Sequence, residues 1–151
     1  MPPIQRIVVA TDFSDLAETV VDHAIDLAKQ LGASITLVHA YEIPIYGFPD
    51  GVLVAPADLA SRLGTAAQTE LDGLVKRNEA RGVPMTAMLR MGAAWDEINS
   101  VAEEIKADLI VVGTHGRRGL ARALLGSTAE RLIRTATRPV FVVHAAAPAK
   151  A

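Results

Sequence analysis

Short continuous runs of apolar residues alternate along the chain with longer stretches in which apolar residues recur at three- and four-residue spacing. Continuous apolar runs are typical of strands buried on both faces, and the wider spacing is typical of helices that bury one face. The continuous runs predict strands over residues 7–10, 35–40, 109–112 and 139–144, and an alternating stretch predicts a strand over residues 83–91. The wider spacing predicts helices over residues 16–31, 57–81, 95–105 and 127–136.

Glycine and proline set several of the predicted boundaries. Gly32 and Gly82 follow the first two helices, where a residue in the left-handed conformation commonly ends a helix. Pro84, near the start of the third strand, favours an edge position because proline cannot donate to a sheet ladder. The stretch after the second strand, up to Pro56, is rich in proline and glycine, and we expect a long loop there.

This order of elements predicts an α/β fold: a single doubly wound, Rossmann-like domain with a five-stranded, mostly parallel sheet and helices on both faces. No internal repeat or linker is visible, so we expect one domain over residues 1–151, with a tail that frays from about residue 145. Such sheets bind ligands beyond the carboxyl ends of strands, where the winding reverses. The loops after the first and fourth strands are therefore the candidate sites.

Composition narrows the function classes. The 151 residues are 50% hydrophobic and 21% charged, which suits one globular domain with a substantial core. A net charge of -2 and a pI near 6.1 argue against a broad basic surface, so we expect no nucleic-acid partner. The lack of cysteine excludes disulfides and thiolate metal sites. With neither a secretion-signal pattern nor an apolar run near the roughly 20 residues of a membrane span, we expect a cytoplasmic protein without a membrane partner.

The segment after the fourth strand carries the clearest chemical signal. Gly113, Gly116 and Gly126 precede Ser127 at the start of the last helix. Glycine permits positive φ and a close backbone approach, so consecutive N–H groups can surround an anion. Helix N-termini also attract phosphate through their free N–H groups and the helix dipole. The sequence therefore predicts a polyphosphate site at this loop.

Several of these residues also have a purely structural interpretation. Ser127 and Glu130 match a capping box, which would explain both residues without a ligand. Asp12, at the end of the first strand, could act only as a helix cap. The glycines could only permit a tight turn.

The charged side chains inside the loop are equally open to two interpretations. His115 could carry a proton, although no partner base or nucleophile is visible. Arg117, Arg118 and Arg122 suit phosphate pairing, but exposed arginines need no ligand to explain them.

The glycine-rich segment also carries a family resemblance. Its pattern is G-x-x-G, nine residues, then G-S, and Gly113, Gly116, Gly126 and Ser127 fill the fixed positions. This pattern resembles that of ATP-binding universal stress proteins, and the similarity extends to residues 9–14, 37–40, 108–112 and 138–143. The resemblance thus covers nearly the whole chain. The Walker signature, with its phosphate-binding lysine, is absent.

The resemblance implies a role for each matching position. Asp12 would lie by the ribose and adenine, the backbone around Ala40 would meet the adenine edge, and the glycine-rich loop would hold ribose and phosphates. A magnesium ion would bridge the phosphate oxygens and be held mostly by phosphate and water. The expected nucleotide-binding residues are Asp12, Ala40, Gly113, His115, Gly116, Arg117, Gly126, Ser127 and Thr128.

The resemblance further implies a nucleotide-dependent, stress-response homodimer in which the last strand pairs across a two-fold axis. A short apolar strand at a sheet edge agrees with this, because such an edge invites pairing. No catalytic set is visible, so we expect ATP binding with at most slow hydrolysis rather than an enzyme. Two alternatives remain: a dimeric interaction protein of the same fold without nucleotide, and a slow ATP-hydrolysing enzyme.

Overall fold

The computed structural model of the chain describes residues 1–114 and 125–144. Strands and helices alternate along these residues in the predicted order, with one additional hairpin. The strands are β1 (Arg6–Ala10), β2 (Ser34–Tyr41), β3 (Ile45–Phe48), β4 (Gly51–Val54), β5 (Met85–Met91), β6 (Leu109–Gly113) and β7 (Val140–Val143). The helices are α1 (Asp15–Leu31), α2 (Ala57–Asn78), which a 3₁₀ turn over Glu79–Arg81 extends, α3 (Ala94–Glu104) and α4 (Ser127–Thr135).

The main sheet has five parallel strands in the order β5, β2, β1, β6, β7. Helices α1 and α2 pack on one face of this sheet, and α3 and α4 pack on the other. The predicted doubly wound α/β fold is therefore confirmed. Strand β5, which follows Pro84, and strand β7 form the two edges, also as predicted.

The centre of the sheet is β1, whose Ile7, Val8 and Val9 are fully buried. Ile7 and Val9 belong to the core beneath α1 and α2, whereas Val8 belongs to the core beneath α3 and α4. Burial of each such side chain stabilises the fold by about 1.5–3 kcal/mol. The loop that follows β1 is therefore attached to a strand whose three central residues are fully buried.

The expectation of a loop up to Pro56 is wrong for part of that stretch. Strands β3 and β4 form an antiparallel hairpin closed by the turn at Pro49 and Asp50. Proline and aspartate are favoured turn residues, and the residues on either side are apolar enough to pair as strands. Exposed apolar side chains in this hairpin, each 60–67% accessible, are Ile45, Phe48, Val52 and Leu53.

Helix α2 is the longest, with 22 residues, and it contains Gly64 and Gly73. A Cβ at Gly64 would lie 2.9 Å from the hydroxyl of Tyr41, so this glycine lets the end of β2 pack against the helix. Glycine is unfavourable inside a helix, but at Gly64 the packing of Tyr41 requires it. Neither α2 nor any other helix within residues 1–114 and 125–144 is long and apolar enough to cross a membrane.

The winding of the sheet reverses between β1 and β6, which are neighbours with Ile7 opposite Leu109 and Val8 opposite Ile110. The chain leaves β1 for α1 on one face and reaches α4 after β6 on the other face. The carboxyl ends of these two strands therefore border a crevice of the kind that binds ligands in open α/β sheets. The two loops predicted as candidate sites therefore begin at neighbouring strand ends.

Candidate functional site

The loop after β1 is held by hydrogen bonds from its first residue onward. Thr11, which is buried, donates its N–H to the carbonyl of Val38 at 2.9 Å. Its hydroxyl oxygen accepts the N–H of Phe13 at 3.1 Å. Asp12 Oδ1 accepts the N–H of Ser14 at 3.0 Å. Three hydrogen bonds thus hold this loop in a defined turn.

Asp12 is not the cap of α1, which was its structural interpretation. Ser14 is the N-cap residue, and its hydroxyl oxygen accepts the N–H of Ala17 at 3.2 Å. Asp12 instead closes the preceding turn through one carboxylate oxygen. Its side chain is half-buried, and no described residue donates to the second oxygen. A ligand hydroxyl or amino group would therefore find an acceptor there.

Phe13 takes a backbone conformation that is rare for a residue with a side chain. Its φ is 62°, in the left-handed region, which costs roughly 1–2 kcal/mol for a residue other than glycine. The ring lies against His39 with 4.4 Å between centroids, and Nδ1 of His39 lies 2.8 Å from the carbonyl oxygen of Thr11. His39 therefore supports this strained turn from β2 in two ways.

Ala40 lies at the carboxyl end of β2, beyond the last residue in register with β1, which is Val38. On its other side Ala40 is in register with Arg90 of β5. Because the carbonyl of Val38 faces β1, the alternation of the pleat turns the N–H and carbonyl of Ala40 toward the same side. The backbone of Ala40 consequently borders the crevice, where an adenine edge is expected.

Gly113 ends β6, and its lack of a side chain has a packing reason. A Cβ at this position would lie 3.0 Å from Cγ2 of Val20 and 3.2 Å from Cδ2 of Leu16, both on α1. Its φ is not left-handed, and neither is that of Gly126, at -63°. Neither glycine therefore adopts the positive φ that its missing side chain permits. Gly113 allows a close approach of β6 to α1.

The two ends of the glycine-rich segment are joined by a hydrogen bond. Gly126 donates its N–H to the carbonyl of Thr114 at 2.5 Å, and Thr114, itself buried, donates to the carbonyl of Val143 at 3.0 Å. Gly126 is also the N-cap residue of α4, with no side-chain cap. Ser127, exposed, and Thr128, half-buried, stand in the first turn of α4 with their hydroxyl groups beside the helix N-terminus.

The capping box predicted as an alternative for Ser127 is not formed. Ser127 is the first helical residue rather than the N-cap, and Glu130 forms an ion pair with Arg134 at 2.8 Å. No acceptor from a side chain of residues 1–114 or 125–144 occupies the N–H groups at this helix start. These groups can therefore donate to an anion.

The structure brings together, at one edge of three adjacent strands, most of the predicted nucleotide-binding residues: Asp12, Ala40, Gly113, Gly126, Ser127 and Thr128. His115, Gly116 and Arg117 lie outside the described residues, as do Arg118, Arg122 and the tail from residue 145. Sequence reasoning missed the contributions of Thr11, Phe13 and His39. The histidine near the end of a predicted strand was a visible signal, but the left-handed φ of Phe13 was not.

The clearest electrostatic effect lies at the opposite edge of the sheet. The N–H of Gln5 lowers the pKa of Asp108 most, and the N–H and charge of Arg6 and the charge of Arg138 lower it further, against the opposing effect of burial. Asp108 Oδ2 accepts both N–H groups at 2.9 Å, which fixes the start of β1 to the start of β6. At neither edge do three or more His, Asp or Glu side chains of the described residues converge as a metal site.

Comparisons with known proteins extend over almost the whole chain. The sequence pattern of the universal stress protein family matches residues 3–144. A universal stress protein of Methanocaldococcus jannaschii is 38% identical over 141 residues, which cover 92% of this chain and 81% of that protein.

Solved structures give the same result for the fold. A universal stress protein in complex with cAMP superposes with a TM-score of 0.69 at 29% identity, over 95% of this chain and 98% of that one. The universal stress protein from Archaeoglobus fulgidus in complex with dAMP superposes with a TM-score of 0.67 at 26% identity, over 93% and 98% of the two chains.

Proposed function

The chain belongs to the universal stress protein family, and from this premise we propose that it binds ATP with Mg²⁺ in the crevice between the β1 and β6 loops. The start of α4 carries the proposal. It follows Gly126 without a side-chain cap, and it lies beside the end of β6, at the edge that also holds Asp12 and Ala40. Free helix N–H groups next to a polar crevice are suited to a nucleotide phosphate.

Each part of the nucleotide has a matching group at this edge. The N–H and carbonyl of Ala40 would meet the adenine edge, and the free oxygen of Asp12 would accept from a ribose hydroxyl. The N-terminal N–H groups of α4, with the hydroxyls of Ser127 and Thr128, would hold the phosphates. Mg²⁺ would be bound chiefly by phosphate oxygens and water, which fits a site without a carboxylate cluster among the described residues.

The relatives supply independent support for the ligand class. One solved universal stress protein contains cAMP and another contains dAMP, and both are adenine nucleotides. Their common parts are an adenine base, a pentose and one phosphate group. The proposal for this chain adds the β- and γ-phosphates, which the start of α4 and the neighbouring glycine-rich segment would hold.

The proposed role is binding rather than fast catalysis. Phosphoryl transfer needs a positioned nucleophile together with charge stabilisation of the transferred group. The carboxylate predicted for this site, that of Asp12, already closes a turn through one oxygen. We therefore expect ATP turnover far below the about 10 s⁻¹ that is typical of enzymes, and bound ATP would act by setting the state of the protein.

Strand β7 is proposed as the surface through which two copies pair. It is a four-residue strand at the edge of the sheet, and its outer side meets no other strand of the described residues. Phe141 on β7 is 44% exposed and Ile133 on α4 is 51% exposed. An apolar edge with free backbone groups favours antiparallel pairing with a second copy. Native mass measurement at micromolar concentration should therefore give a dimer.

The proposed interface has a matched control elsewhere on the surface. Phe141→Asp should shift the protein to monomer, because it places a charge in the apolar contact. Phe48→Asp changes an even more exposed phenylalanine, on the β3–β4 hairpin, and should leave the dimer intact. A monomeric parent protein, or equal loss of dimer in both variants, would contradict pairing through β7.

The first test of nucleotide binding is to identify what the gently purified protein carries. Denaturation should release an adenine nucleotide, and calorimetric titration of MgATP into the stripped protein should show one site per chain. Trp95 is the single tryptophan, and the guanidinium carbon of Arg131 on α4 lies 5.3 Å from its ring centroid. Its fluorescence should therefore report occupation of the α4 start. A stripped protein that ignores millimolar MgATP in both measurements would refute the proposal.

A further inference from the structure

The carbonyl of Thr11 is the point at which the ladder between β1 and β2 departs from its regular pattern. The N–H of Thr11 donates to the carbonyl of Val38 at 2.9 Å, which extends the ladder one residue beyond Ala10. In a regular parallel ladder, the next bond would run from the N–H of Ala40 to the carbonyl of Thr11. These two described residues share no such bond, and Nδ1 of His39 lies 2.8 Å from the carbonyl instead.

The carbonyl of Thr11 determines which ring nitrogen of His39 is protonated. A carbonyl oxygen only accepts, so Nδ1 must be the protonated nitrogen, as it is in one neutral tautomer and in the imidazolium ion. The imidazole thus occupies the carbonyl that the N–H of Ala40 would otherwise use. This leaves the N–H of Ala40 directed into the crevice as an available donor.

The same ring also supports the turn on the other side of the crevice. The left-handed Phe13, with its φ of 62°, packs on His39 at 4.4 Å between ring centroids. Asp12 precedes Phe13 in this turn, so the position of the Asp12 carboxylate depends on the same contact. The half-buried side chain of His39 therefore affects two groups at the base and ribose end of the crevice: the N–H of Ala40 and the carboxylate of Asp12.

From these contacts, we infer that His39 is a positioning residue for the base: it holds the carbonyl of Thr11 so that the N–H of Ala40 stays free to donate to a ring nitrogen of a purine. This inference rests on the proposed nucleotide function and deepens it. The recognised chemistry is a heterocyclic base with an unprotonated ring nitrogen at the edge that meets β2. The phosphate groups, at the start of α4, take no part in it.

The test separates the hydrogen bond from the packing of the ring. His39→Phe keeps an aromatic ring against Phe13 but loses the donor to the carbonyl of Thr11. In His39→Asn, the ring is lost, but the side-chain amide keeps an N–H donor near the position of Nδ1. The matched control is His23→Phe, because Nδ1 of His23 lies 2.8 Å from the carbonyl of Thr19 on the exposed side of α1. Dissociation constants would be measured by calorimetry for MgATP, AMP, adenosine and inorganic tripolyphosphate.

We expect His39→Phe to weaken binding of ATP, AMP and adenosine about tenfold, which corresponds to the loss of one hydrogen bond. Tripolyphosphate binding should stay unchanged, because it has no base. His39→Asn should recover most of the affinity, and His23→Phe should match the parent protein. Equal weakening for tripolyphosphate and for the adenine ligands, or parental affinity in His39→Phe, would overturn the inference.

Amide hydrogen exchange at Ala40 tests the same step without a nucleotide. In the stripped parent protein and in His39→Asn, this amide should exchange fast. In His39→Phe it should become protected, because the carbonyl of Thr11 is then free to accept it. Exchange at the same rate in all three proteins would overturn the inference. If the parent fails to bind ATP, the proposed function fails, while slow exchange confined to His39→Phe would still support the effect of His39 on the ladder.

Discussion

Helices α1 and α4 begin at the same edge of the sheet, after neighbouring strands, yet their first turns differ. At α1, the hydroxyl of Ser14 accepts the N–H of Ala17 at 3.2 Å, and Asp15 and Glu18 add two carboxylates to the first turn. At α4, the N-cap is Gly126, which offers no side chain, and the acidic residue of the first turn, Glu130, is paired with Arg134.

This difference shows that a helix N-terminus at the right edge does not by itself mark a phosphate site. Both helices present free N–H groups and the positive end of a dipole. At α1 the protein supplies the acceptors and the negative charge itself, each worth about 0.3–1 kcal/mol at an exposed site. At α4 the described residues supply no side-chain cap, which leaves these N–H groups for the proposed nucleotide. The cap residue, rather than the helix, distinguishes the two.

The largest expected effect comes from giving α4 the negative charge that α1 already has. Ser127→Asp should weaken MgATP binding about 100-fold, because a carboxylate in the first turn repels the phosphates. The same substitution should raise the unfolding free energy by about 0.3–1 kcal/mol through the helix dipole. Calorimetry and urea denaturation of the same preparation would measure both effects.

The matched substitution at the other helix is Ser14→Asp. Aspartate is as good an N-cap as serine, so stability should be kept, and MgATP affinity should change by less than about threefold. If the two substitutions weaken binding equally, the phosphates are not bound at α4 in particular. If Ser127→Asp binds as the parent does, the comparison has no functional meaning.

The next effect tests the contact through which β6 approaches α1. Gly113→Val should lower the unfolding free energy by about 1–3 kcal/mol, because the added side chain meets Leu16 and Val20 in a packed core. Gly47→Val is the control: a Cβ at Gly47 meets nothing within 4 Å. Urea midpoints would show the difference. Equal midpoints would mean that α1 shifts freely and does not fix the end of β6.

A smaller effect distinguishes the caps themselves. Ser14→Ala should cost about 1 kcal/mol of unfolding free energy, because the N–H of Ala17 loses its acceptor. Ser127→Ala should leave stability nearly unchanged, since Ser127 caps nothing, but should weaken MgATP binding several-fold through loss of one hydroxyl donor. A stability loss at Ser127 as large as that at Ser14 would show that the hydroxyl does serve the helix.

The smallest effect lies at the far edge of the sheet, where neither helix begins. Asp108→Asn should cost less than about 1 kcal/mol at pH 7, because the carboxylate that accepts from Gln5 and Arg6 is partly solvated. The pKa of Asp108 is lowered in the folded protein, so its contribution is present above the unfolded value, about 3.9, and is lost as pH falls through the folded value.

This last variant also serves as a control for nucleotide binding. Urea midpoints of Asp108→Asn and of the parent protein should differ at pH 7, and the difference should shrink as the pH falls below about 3.9 toward the lowered pKa of Asp108 in the folded protein. MgATP affinity at pH 7 should be the same in both proteins, because the change lies at the edge opposite the crevice. A pH-independent difference in stability would show that the charge of Asp108 plays no part.

The succession of elements could be predicted from the sequence because its signals are local. Continuous apolar runs predicted the parallel strands, Gly32 and Gly82 marked two helix ends and are left-handed in the structure, and Pro84 indicated an edge strand. The β3–β4 hairpin was missed because its proline and glycine residues were interpreted as loop signals. Pro44 in fact precedes β3, Gly47 lies within it, and Pro49 belongs to the tight turn before β4.

For the site, the sequence predicted which two strand ends border it, but not the contacts within it. Neither Gly113 nor Gly126 adopts the positive φ that glycine permits, because a missing side chain can also serve a close helix contact or an open N-cap. The support that His39 gives to Thr11 and Phe13 depends on residues from two strands. Such a contact follows from strand register, which no spacing along the chain reveals.

The hydrogen bond between Gly126 and Thr114 has a consequence for protein engineering. It holds Thr114 and Gly126 next to each other beside β7, whose Val143 accepts the N–H of Thr114. A segment with fixed, adjacent ends can be exchanged without moving the strands, and doubling its length costs only about 0.6 kcal/mol in closure entropy. Thr114 and Gly126 therefore offer two adjacent attachment points, next to the start of α4, between which a designed segment could be joined while the sheet stays the same.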